Sequence, residues 1–120
     1  MAMFTFALKI TDMNPIDLTS IQNEIKANSA VLIYFFSNNC APCISLRPKI
    51  QALISEDYDK IKMILIDSEQ HPEITAHYGV FANPTLLLFF EGNEHLRWSK
   101  YVSVSQIAEA IDRPYNLLFE

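Results

Sequence analysis

Six consecutive apolar residues, Val31, Leu32, Ile33, Tyr34, Phe35 and Phe36, run without a break into a polar turn and two cysteines, Cys40 and Cys43. A run this rich in β-branched and aromatic residues reads as a strand buried on both faces. Such a strand needs a layer of structure on each side of its sheet. Directly beyond the cysteines, Leu46, Ile50, Leu53 and Ile54 recur at helical spacing. The cysteines therefore belong to a strand-to-helix junction.

The rest of the chain repeats the alternation. Phe4, Phe6 and Leu8 place a short strand at residues 4–10. Leu18, Ile21 and Ile25 mark a helix, with Thr19 and Gln22 as a candidate capping box. The cysteine helix is expected over 42–56, with Pro48 inside it as a kink. A second buried strand follows at 62–67. Pro72 opens a short helix that Gly79 ends in the left-handed conformation. Strands at 85–90 and 94–99 flank the turn Glu91-Gly92-Asn93, with Leu96 and Trp98 facing inward. Ser103 and Gln106 suit a capping box for a last helix carrying Val104, Ile107, Ala108 and Ile111. The order is βαβαβαββα, an α/β chain with a central mixed β-sheet and helices on both faces. One domain over 1–120 is expected, with a core at 4–112. A tail at 113–120 would fold Leu117, Leu118 and Phe119 back onto it.

Composition narrows the function. Of 120 residues, 50% are apolar and 19% charged, which supports a packed core and excludes intrinsic disorder. Nine Lys and Arg against fourteen Asp and Glu leave a formal charge of −5, unsuited to binding nucleic acid. Two glycines are too few for glycine-rich phosphate loops. The six-residue run is far short of the ~20 residues that span a membrane. Residues 1–8 are apolar but lack the basic segment of a signal peptide. A cytoplasmic protein with no membrane partner is expected.

In a reducing compartment a bridge between Cys40 and Cys43 would cycle rather than staple. A sulfur at a helix N-terminus meets free N–H groups and the positive end of the dipole, which favour thiolate. Thiolate is the form that attacks disulfides. A second thiol one turn on can then attack the mixed disulfide, and Pro42 restrains the loop between them. Half of a zinc or iron–sulfur site competes, but no further cysteine completes it, and His71, His77 and His95 show no ligand spacing. An inert bridge, a chance pair on a binding module and a metal site shared between two chains also stay open.

The motif Cys40-Ala41-Pro42-Cys43 after its apolar strand, then Pro48, Tyr78-Gly79-Val80, Asn83-Pro84-Thr85 opening an apolar strand, and Gly92 occur in the order and spacing of the thioredoxin family. The chain resembles that family from Leu18 to Ile111. The resemblance implies a thiol–disulfide oxidoreductase that exchanges electrons with protein disulfides and an unidentified donor, as a monomer without cofactor or metal. Cys40 would attack and Cys43 resolve. Pro84 would be the family's cis-proline, and the main chain of Asn83 would bind substrate. Asn39, Ala41, Pro42 and Lys100 would complete the substrate-binding rim.

The chain departs from the family at informative places. Tyr34 replaces a buried Asp thought to take the proton of the resolving thiol, and Leu65 replaces the Lys paired with it. A phenol titrates near ~10 and is a poor base at neutral pH, so Tyr34 is expected to fill the core and make one hydrogen bond. Asn39 stands for a Trp, Ala41 for a Gly and Lys100 for a Gly beside the substrate groove. These departures keep a second reading open, an interaction module on the same fold with weak redox turnover.

Overall fold

The computed structural model describes residues 16–120. Eight elements follow in order: α1 (Leu18–Ala27), β1 (Ala30–Phe36), α2 (Ala41–Asp57), β2 (Lys62–Asp67), α3 (Pro72–His77), β3 (Thr85–Phe90), β4 (Asn93–Ser99) and α4 (Val104–Leu118). The strand expected at 4–10 lies outside the described residues.

The strands form a sheet in the order β2-β1-β3-β4. β1 pairs parallel with β2 and antiparallel with β3, and β4 returns antiparallel to β3. Side chains alternate across a strand, so β1 feeds two cores. Ala30, Leu32 and Tyr34 join Leu46, Ile50 and Ile54 of α2 and Ile107 and Ile111 of α4. Val31, Ile33 and Phe35 join Ile21 and Ile25 of α1 and Ile74 of α3. Leu86 and Leu88 of β3 point to the first core, and Leu87 and Phe89 to the second. Helices thus cover both faces of a mixed sheet.

Three expectations need correction. β2 is only partly covered, with Lys62 exposed and Ile66 its one fully buried residue. It is the outermost strand on its side among the described residues. The α1 cap is Asp17, not Thr19. The Ser20 N–H donates to Asp17 Oδ1 at 2.8 Å, and the Asp17 N–H donates to Ser20 Oγ at 3.0 Å. The helix begins at Leu18, which puts Thr19 and Gln22 inside it.

The tail at 113–120 does pack onto the domain, but mostly as the continuation of α4, which runs on through Pro114 to Leu118, and not as a stretch past the last helix. A proline inside a helix costs about 3 kcal/mol. Tyr115 offsets this by burying its ring edge-on to Tyr58, at 4.9 Å between centroids, and by accepting a hydrogen bond from the Lys60 N–H. Phe119 packs against Tyr115, while Leu117 remains exposed. Pro48 lies inside α2, as expected, and the helix runs on past it to Asp57.

Other local signals hold. Ser103 and Gln106 cap α4 reciprocally. Glu91 and Gly92, at φ 53° and 82°, form a two-residue hairpin loop whose positive φ angles match the strand twist. Gly79 ends α3 at φ 65°. Arg97 of β4 then holds that end, donating to the carbonyls of Tyr78 at 2.8 Å and Gly79 at 3.1 Å while paired with Glu94.

Candidate active site

Ser37 ends the β1 run, and its carbonyl accepts the Cys40 N–H at 3.2 Å, turning the chain into α2. Cys40 is the N-cap residue of α2 and Cys43 lies in its first turn. The two sulfurs are joined as a disulfide, with Cα atoms 5.3 Å apart. The Cys43 N–H donates to Cys40 Sγ at 3.2 Å. A backbone N–H and the helix dipole therefore both favour negative charge on Cys40 sulfur once the bridge opens. Cys40 is half-buried, whereas Cys43 is 0% exposed.

Behind the pair stands Tyr34, also 0% exposed. Its hydroxyl donates to the Cys43 carbonyl at 2.6 Å, the single hydrogen bond expected of it. Burial pushes the phenol above its ordinary pKa of 10.0, and the nearby Arg47 cation opposes this in part. Leu65 is the register partner of Tyr34 across β2, where the family would place a Lys. Arg47, one turn beyond Cys43, lays its guanidinium over the Phe36 ring at 4.2 Å. Its Nε is buried without a hydrogen-bond partner among the described residues. Sequence reading passed over Arg47, although a cation four residues after Cys43, beside Leu46 and Ile50, was visible on the inward stripe.

The second wall is the loop before β3. The Asn83–Pro84 peptide bond is cis, as expected. Ser68, which follows β2, donates from its hydroxyl to Asn83 Oδ1 at 2.9 Å and from its N–H to the Phe36 carbonyl at 2.8 Å. It ties this loop to the end of β1, a link with no signal in the sequence. Thr85 donates from its hydroxyl to the Ala82 carbonyl at 2.6 Å. The Lys100 N–H donates to the Pro84 carbonyl at 2.8 Å, which brings the end of β4 alongside.

A groove of about 300 Å³ joins these walls, bringing Pro42, Pro84 and Lys100 together. Asn39 and Ala41 lie on the exposed turn and do not line it. Asn83 is half-buried beside Pro84. Two large apolar side chains near this loop system stand free in solvent, Phe81 at 93% and Tyr101 at 95% exposure. Among the described residues no helix is long and apolar enough to cross a membrane.

Known proteins agree with this geometry. The Thioredoxin family model matches residues 13–113. The chain is 31% identical over 100 residues to the thioredoxin-like protein YdfQ of Bacillus subtilis, covering 83% of this chain and 88% of that one. It is 28% identical over 100 residues to a thioredoxin of Pseudomonas aeruginosa, covering 83% and 93%. The X-ray structure of Fasciola hepatica thioredoxin superimposes with a TM-score of 0.69, at 31% identity over 80% of this chain and 89% of that one. The chain belongs to the thioredoxin family and is a thiol–disulfide oxidoreductase.

Proposed function

We propose that Cys40 is the attacking thiol and Cys43 the resolving thiol in the reduction of protein disulfides. Cys40 thiolate forms a bond to one substrate sulfur, the substrate S–S bond breaks, and the other sulfur leaves as thiolate and takes a proton from water. Cys43 then loses its proton, its sulfur attacks Cys40 Sγ, and the mixed disulfide breaks to release the second substrate thiol. The protein ends with the Cys40–Cys43 disulfide, and two electrons have passed to the substrate. An unidentified external electron donor must return them. The observation that carries this reading is the asymmetry of the pair. Cys40 is accessible at the helix cap with an N–H on its sulfur, and Cys43 is enclosed.

In this reading the Asn83 main chain beside Pro84 pairs with substrate backbone in strand fashion, and Asn39, Ala41, Pro42 and Lys100 form the rim. The protein works as a cytoplasmic monomer. Cys40→Ser should abolish reduction of insulin disulfides with dithiothreitol as donor, and Cys43→Ser should accumulate mixed disulfides. Faster alkylation of Cys43 than of Cys40 near neutral pH would reverse the roles.

A further inference from the structure

The groove beside the cysteine pair carries a charge that the whole chain does not. Pro42, Ser45, Lys49, Pro84, Lys100 and Ser103 are among its lining residues, and among the described residues none that lines it is Asp or Glu. Yet the formal charge of the chain is −5. The ion pairs among the described residues are Lys62 with Glu24 and Arg97 with Glu94, so neither groove lysine is spent on one. Both lysines are exposed.

Lys100 also holds a backbone conformation that a lysine adopts at a cost. Its φ is 60°, in the left-handed region where a side chain is disfavoured. The other such non-glycine residue among the described residues, Glu91, sits in the hairpin loop, whose geometry requires positive φ. Lys100 lies outside that loop. Its N–H is held by the Pro84 carbonyl and its own carbonyl accepts the Val102 N–H at 3.2 Å. Glycine would meet the same backbone bonds without strain. What lysine adds there is a cation over the groove. Strain kept at the edge of a reactive site is a mark of function.

We propose that this groove selects disulfide partners carrying an Asp or Glu close to the reactive cysteine, with Lys49 and Lys100 as the residues that read it. The inference rests on the thiol-exchange role proposed for Cys40 and Cys43. Lys49 stands nine residues beyond the attacking Cys40 along α2, about 13 Å of helix rise. About four residues of extended peptide span that distance. The acidic residue therefore lies within about four positions of the partner's cysteine. Ser45 and Ser103 offer hydroxyl donors to the same carboxylate.

The test uses eight-residue peptides with a single cysteine, each as a mixed disulfide with uncharged 2-mercaptoethanol. Glu, Gln or Lys occupies one position within four residues of the cysteine. The readout is the second-order rate of reduction by the reduced protein at pH 7. Exposed ion pairs each change an equilibrium by a factor of about two to five, so Glu peptides should react about five- to tenfold faster than Gln peptides. The preference should shrink when salt rises from about 0.05 M to about 0.5 M. It should fall to within about twofold in Lys49→Gln/Lys100→Gln, persist in Lys100→Arg, and turn toward Lys peptides in Lys49→Glu/Lys100→Glu. Equal rates for Glu and Gln peptides in the unmodified protein would overturn the proposal alone, since the Gln peptides would still be reduced. A preference that survives both double variants would overturn it as well. Failure to reduce any peptide would remove the thiol-exchange role and this inference with it.

Discussion

The hydroxyl of Tyr34 donates to the carbonyl of Cys43 at 2.6 Å, at the place where relatives with a buried Asp keep a base for the resolving thiol. A phenol that burial holds above its ordinary pKa remains a donor through the neutral range. Tyr34 therefore braces the first turn of α2 from below and takes no proton from Cys43.

A slower resolving step follows from this arrangement. Cys43 must lose its proton while enclosed, where desolvation disfavours thiolate. Tyr34→Asp alone leaves a cavity and an unpaired buried acid, costing on the order of several kcal/mol. Leu65 is the register partner of Tyr34, so Tyr34→Asp with Leu65→Lys supplies both charges on neighbouring strands. The double variant should release a preformed mixed disulfide about tenfold or more faster at pH 7, with a flatter dependence on rising pH. Acid quenching followed by separation of free and bound peptide measures it. An unchanged rate in a folded double variant would mean that another group or water already serves as the base.

Alkaline stability should report on the contact between α2 and α4. Tyr58 donates to Asp112 Oδ1 at 2.9 Å. Burial first, then this hydrogen bond and the neighbouring acids, push its phenol up to about 12 from the ordinary 10.0. Between those values the folded chain keeps a proton that the unfolded chain has lost, so stability falls as pH rises. The contribution is whole below about pH 10 and lost through about pH 12. Tyr34 and Tyr78, raised by burial, act in the same sense. Urea midpoints at about pH 9 and about pH 12 should differ less in Tyr58→Phe than in the unmodified protein.

Relief of strain should be visible at Lys100. Its φ of 60° suits glycine, so Lys100→Gly should raise the unfolding free energy by about 0.5–1 kcal/mol, after the extra freedom that glycine gains in the unfolded chain. Urea denaturation at neutral pH checks this. A loss of stability would show that the lysine side chain itself holds the β4 end in place.

The strand β1, the cysteine turn, the β3–β4 hairpin and the Ser103 cap were legible because each rests on residues close in sequence. An apolar run announces a buried strand wherever it packs. A Ser and a Gln three positions apart carry both halves of a cap. The α1 cap was misread because Asp17 and Thr19 offer similar signals, and only the start of the helix chooses between them. The extension of α4 through Pro114 ran against local preference, since the contacts that sustain it join Lys60 to Tyr115, 55 residues apart.

The chain order and spacing of its apolar residues and cysteines thus determined the fold class and the redox pair. Which groups meet around that pair was decided by the tertiary structure. Tyr34 reaches Cys43 because β1 runs beneath α2. Ser68 reaches Asn83 because β2 ends beside the loop before β3. Lys49 and Lys100 share a groove because the end of β4 is hydrogen-bonded to Pro84. Periodicity tells which face of an element is buried, but it carries no information about which distant element will cover that face.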